Sequence, residues 1–288
     1  MSRLRLALFA ALVAALPAAA DESSEKQKKI AAANLTKGEV AKAATVETDD
    51  VIVCTTVGEA KAKQLADGLQ KSHALARKVL QIDEKDKLWG GKLTVYYLPD
   101  TKTYKNFIRS VALDRPDGAY FFSLTGDAPY VVESGEAGDK PTEAEQFGAA
   151  GARVALAVLE KKMGPTFPEW VKGGFGRAVS LRADGTTSKR YGAYKTAMRR
   201  AVLGGAGRGP LPVTDAWEGR GKDGELAATS LMEYVLFAPT AGAGLKFLNG
   251  FRPTETVQTP GVPNALEAAM WKQETLDAAW KKWVQAGK

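Results

Sequence analysis

Chemistry that relies on imidazole or thiolate has little to draw on in this chain, which contains one histidine, His73, and one cysteine, Cys54. His73 lies in LQKSHALARKVL beside Lys71, Arg77 and Lys78, and reads as a helix-surface residue rather than a ligand or base. Cys54 lies in the apolar, β-rich run VIVCTTV with no catalytic partner in view, and reads as a buried small hydrophobe. One cysteine also rules out an intramolecular disulfide. Carboxylates would have to supply nearly every ligand of a metal site, and oxygen-only sets suit calcium or magnesium better than catalytic zinc. Glu160 and Glu169 are of surface type, beside KKMG and Pro168, whereas Glu233 in LMEYVL falls within an apolar helix. Glu233 is expected to pair with Arg153 or Arg177; the enzymatic alternative is a hydrolase using Glu233 with another acid. No G-x-S-x-G elbow accompanies His73, and GGAGRGP neither follows a strand nor opens a helix with Gly-Lys-Ser/Thr, so neither a serine triad nor a phosphate loop is indicated. Trp280 and Trp283, at i and i+3, read as core residues rather than a sugar platform.

The elements that would position these residues follow from periodicity. DDVIVCTTV and KLTVYYLPD read as strands, and GAYFFSL with APYVVES as a strand pair joined across Thr125-Gly126-Asp127. Between the first two strands, Ala62, Leu65, Leu69, Leu75 and Val79 recur at helical spacing. TKTYKNFIRSVAL reads as a short helix. From Pro141 the chain is mostly helical: Thr142 and Glu145 form a capping box for a helix running to Met163, Gly164 closes it, and a second helix starts near Pro168. SKRYGAYKTAMRRAVL, LAATSLMEYVLF, GAGLKFLNGF, NALEAAMW and TLDAAWKKWVQ follow as helices, with a loop from Gly204 to Glu225 among them. Strands first and helices after define an α+β class: an N-terminal mixed-sheet lobe with helices, followed by a helical lobe.

Composition places this domain. Arg3, Arg5, LALFAALVAAL and the small residues Ala18–Ala20 have the form of an export signal, so residues 1–20 are expected to be removed and the protein to act in the periplasm or outside the cell. Residues 21–45, poor in large apolar side chains, are expected to form a mobile or partly helical leader, and the domain to span 46–288. No later segment is apolar enough to span a membrane. The formal charge of +7 falls to +5 without the signal, and acids accompany nearly every lysine cluster, which argues for a solvated surface and against nucleic-acid binding.

The stretch from Gly148 to Ser180 carries a family resemblance. PEWVKGGFGRAV resembles the P-x-W-x-x-E-G-x-A pattern that announces the third-ligand helix of thermolysin-like metallopeptidases, the gluzincins, with Pro168, Trp170 and Gly174 in place and Gly173 where the glutamate ligand belongs. The order of elements from Val51 to Val284 is similar as well. These enzymes need H-E-x-x-H on the preceding helix, so that two imidazoles share one face and a glutamate activates the metal-bound water. Here either Ala149, Ala150 and Arg153 or Ala152, Arg153 and Leu156 stand in those places, and every ligand is missing in both registers. The resemblance therefore implies a gluzincin-like fold without zinc or another cofactor: a non-catalytic pseudopeptidase whose cleft binds an extended peptide or acidic ligand. Its candidate cleft residues are Arg153, Trp170, Gly173, Arg177, Glu233 and Tyr234. A purely structural envelope role is the other alternative. The glycines of GAAGA, each about 1 kcal/mol worse than alanine in a helix interior, imply that a neighbouring element approaches closely there.

Overall fold

The computed structural model describes residues 16–135, 141–204, 209–219, 221–238 and 241–287. Most of the expected export signal lies outside them. Helix α1 (Leu16–Lys37) precedes β1 (Ala44–Glu47), β2 (Val51–Thr55), α2 (Glu59–Val79) and β3 (Leu93–Tyr97). Helix α3 (Thr101–Phe107) continues into a π-helical turn (Ile108–Ala112) and leads to β4 (Tyr120–Ser123) and β5 (Tyr130–Glu133). The rest is helical: α4 (Glu143–Met163), α5 (Glu169–Ala183), α6 (Lys189–Leu203), α7 (Val213–Glu218), α8 (Gly221–Phe237), α9 (Ala241–Asn249), α10 (Val262–Ala268) and α11 (Gln273–Gln285). The class is α+β, a mixed sheet followed by helices, as the residue pattern implies.

The five strands pair in the order β1-β2-β3-β5-β4. β2, β3 and β5 are parallel; β1 and β4 are antiparallel to their neighbours and form the two edges. Period-two alternation splits the central strands between two apolar layers. Val51, Val53, Val95 and Val131 face the larger core, built with α2, α4 and the C-terminal helices. Ile52, Cys54, Tyr96 and Val132 face the smaller one, with Tyr104 and Phe107 of α3. Cys54 is fully buried, as expected, and burial pushes its thiol up to about 11.

Of the two expectations for residues 21–45, mobile or partly helical, the structure shows the helical one as far as Lys37, and that helix is packed against the sheet. Ala31 and Leu35 of α1 are buried in the smaller core. The Gln27 side chain donates to Lys92 O (3.1 Å) and Asp127 O (3.2 Å) and accepts from Lys92 N–H (2.9 Å). Asn34 donates to the Tyr96 hydroxyl at 3.0 Å. Gln27, Ala31, Asn34 and Leu35 form one helical stripe whose anchors are mostly small or polar, so the helix docks with few large apolar residues. β1 begins at the end of that segment and runs past it, paired with β2 from Ala44↔Thr55 to Glu47↔Ile52.

Helix α4 has the expected limits. The Thr142 hydroxyl accepts from Glu145 N–H, the Glu145 carboxylate accepts from Thr142 N–H, and Gly164 ends the helix at φ 92°. Its small residues admit neighbours, as GAAGA implies. A Cβ at Gly151 would stand 2.8 Å from Ser72 Oγ and 2.9 Å from Ser180 Oγ, and one at Gly148 would strike the Arg190 guanidinium. α5 returns the closeness, since a Cβ at Gly176 would lie 2.5 Å from Ala152 O. Trp280 and Trp283 are buried, with Trp280 Nε1 donating to Ser230 Oγ at 3.0 Å. Among the described residues no helix is long and apolar enough to cross a membrane.

Candidate functional site

Strand register brings polar side chains together at the carboxyl ends of the parallel strands, where open α/β sheets place their ligands. Thr55 pairs with Tyr97, Tyr97 with Glu133, and Glu133 with Tyr120, making one row across the face that meets α4. Arg153, immediately after the GAAGA run, reaches down onto that row. Its Nε donates to Glu133 Oε2 at 3.2 Å and its guanidinium lies 3.7 Å over the Tyr120 ring. Glu133 is 1% exposed. Burial raises its pKa above the usual carboxylate range, while the Arg153 charge and the Gly135 N–H pull it back. The Tyr97 hydroxyl donates to Gln146 Oε1 at 3.2 Å, and burial pushes that phenol up to about 12.

Arg177 on α5 faces the same region. Its Nε donates to Thr229 Oγ1 at 3.1 Å and its Nη1 to Glu225 at 3.3 Å. Burial lowers its pKa, the Glu225 carboxylate opposes that, and the Arg153 charge reinforces it, so the two guanidinium groups sense each other. A Cβ at Gly173 would come within 3.0 Å of Arg177 Nη2. The space that a side chain at 173 would enter thus holds a guanidinium.

Of the six cleft residues read from the sequence, Arg153, Gly173 and Arg177 gather here and three do not. Trp170 is buried in an aromatic cluster with Phe247 and Phe251, at ring separations of 6.4 and 6.1 Å. Tyr234 rests edge-on against Trp283 at 5.8 Å. Glu233, fully buried, pairs with neither Arg153 nor Arg177. It accepts from Arg182 Nε at 2.6 Å and from the Tyr191 hydroxyl at 2.5 Å, with Lys195 Nζ 3.9 Å from its other oxygen. Those cations come from α5 and α6, one helix turn or more beyond the arginines considered. Glu233 is the anion of a buried ion network that ties α8 to α5 and α6.

Sequence reasoning overlooked a second assembly. His73 is 1% exposed rather than a surface residue. Its Nδ1 stands 3.2 Å from Asp50 Oδ2 and its ring 5.8 Å from that of Trp89. The contact with His73 holds the Asp50 carboxyl down at about 2, against the pull of burial, with help from Gln70 and Arg77. His73, Asp50, Arg77 and Trp89 border a cavity of about 300 Å³ that Ser23 and Gln27 of α1 also line. The signal was present: Ala62, Leu65, Ala66, Leu69, Ser72, His73 and Ala76 form a single stripe at a 3.6-residue period.

Among the described residues no three histidine, cysteine, aspartate or glutamate side chains converge to hold a metal ion. No family model matches the chain, and no curated protein matches it.

Proposed function

We propose that this is an exported peptidase-like binding protein without peptidase chemistry, which takes an extended peptide along the outer edge of β4 and sets an acidic group of it against Arg153 and Arg177. The observation that carries the reading is an open strand edge ending at two guanidinium groups. Ser134 N–H bonds to Ala119 O, so the alternation of an antiparallel ladder turns the N–H and C=O groups of Tyr120 and Phe122 away from β5. Among the described residues no other backbone group pairs with them. Such an edge can receive a further strand. Compatible with the resemblance to gluzincins, a hypothetical Cβ at Gly174 would lie 2.8 Å from Ala228 O and one at Gly173 would lie 3.0 Å from Arg177 Nη2.

Titration of ten-residue acidic peptides by fluorescence anisotropy tests this. Selected peptides should bind the wild type and lose about tenfold in affinity to Arg177→Gln, the magnitude of one charge-assisted hydrogen bond. Methylating alternate backbone nitrogens of the peptide should abolish binding. Equal, featureless responses across peptides and proteins would end the reading.

A further inference from the structure

We infer that the carboxylate this site selects is the C-terminal one, so that the ligand is the free end of a polypeptide rather than an internal acidic stretch; the inference rests on the edge of β4 being a peptide-binding edge. Direction supplies the first step. β4 runs from Tyr120 to Ser123, and Tyr120 lies at the end carrying Arg153. A strand added antiparallel to β4 passes Phe122 before Tyr120, so its C-terminal end arrives at Arg153. A strand added in parallel would instead bring its N-terminal ammonium to the same place, setting cation against cation. Antiparallel pairing is also the slightly stronger ladder.

Donor geometry supplies the second step. Arg153 uses only its Nε on Glu133, and stacking on Tyr120 fixes the plane of the group. Among the described residues its terminal nitrogens have no acceptor, and the side chain is 24% exposed. A guanidinium held this way presents parallel N–H groups, the fork that binds a carboxylate through both oxygens. Arg177 adds a second cation whose partner, Glu225, is itself 59% exposed and easily turned to water. Length supplies the third. Only Tyr120 and Phe122 offer outward backbone groups, so β4 alone can hold a few residues, and a charged terminus gives such a short ladder a fixed register.

An uncharged, N-acetylated eight-residue peptide with alternating Val and Thr, made as the free acid and as the C-terminal amide, tests the inference. A third arm is the amide carrying one internal glutamate. The free acid should bind at least about tenfold more tightly than either amide. Arg177→Gln, checked for an unchanged thermal melt, should shrink the difference between acid and amide. Equal binding of acid and amide, or an internal glutamate restoring full affinity, would overturn the C-terminal assignment while leaving peptide binding intact. Failure of every peptide to bind would remove the edge-binding reading and this inference with it.

Discussion

Arg153 and Glu133 illustrate how unequal the two halves of an ion pair can be. The carboxylate is 2% exposed in its side chain and the guanidinium 24%. Arg153→Leu strands a buried charge, and near neutral pH should cost about 3–5 kcal/mol. Glu133→Gln leaves an arginine that can lean towards water and an amide that still accepts from it, and should cost no more than about 1 kcal/mol. The sign of the pH dependence follows from the raised pKa of Glu133. The folded protein holds that proton more tightly than the unfolded chain, so the contribution is fully present below the ordinary glutamate value of about 4.3 and is lost as pH rises through the raised one. Without Arg153 the pKa rises further. Chemical denaturation from pH 4 to 8 should therefore show the gap between wild type and Arg153→Leu widening as pH increases; a constant gap would mean that Glu133 is not what the substitution strands. Sequence pattern named Arg153 but not its partner. Period-two alternation places Glu133 on the face of Val131, yet only the register between β4 and β5 puts it under an arginine of α4.

At the scale of elements, glycine separates what sequence shows from what packing decides. The limits of α4 were legible because Thr142, Glu145 and Gly164 are local signals that act within one turn. The docking of α1 was not legible, because it depends on Gln27 and Asn34 meeting backbone and phenol groups more than 60 residues away. Glycines inside helices divide in the same way. A methyl group placed on Gly68 of α2 would meet nothing within 4 Å, whereas one on Gly176 of α5 would meet Ala152 O at 2.5 Å. Gly68→Ala should therefore stabilise by about 0.5–1 kcal/mol, raising Tm by about 2–4 °C. Gly176→Ala gains the same propensity but must force α4 and α5 apart, and should lower stability by about 1–3 kcal/mol. Thermal melts of the two single variants decide the matter. If both raise Tm, the α4–α5 crossing is looser than these distances imply, and the wall on which Arg153 and Arg177 stand is not rigid.

Across the whole molecule, α1 closes the side of the sheet opposite the arginine site, and its place bears on how much of the N-terminal segment the fold needs. The helix starts at Leu16, so cleavage after Ala20 would trim its first residues. Every α1 contact described lies beyond that point: Ser23 to Gly90 O at 3.2 Å, the Gln27 bridge, and the buried Ala31 and Leu35. A chain beginning at residue 21 should melt within about 2 °C of the full chain, a difference of less than about 1 kcal/mol. A chain beginning at residue 38 gives up the burial of Leu35, about 2 kcal/mol, and the hydrogen bonds of Gln27 and Asn34, about 1 kcal/mol each. It should unfold at distinctly lower urea. Cys54 gives an independent readout, because it shares the smaller apolar layer with Ala31 and Leu35. A thiol reagent should modify it slowly in the chain from 21 and faster in the chain from 38, as burial no longer suppresses the thiolate. Coincident unfolding curves and equal labelling rates for the two truncations would show that α1 is dispensable to the fold.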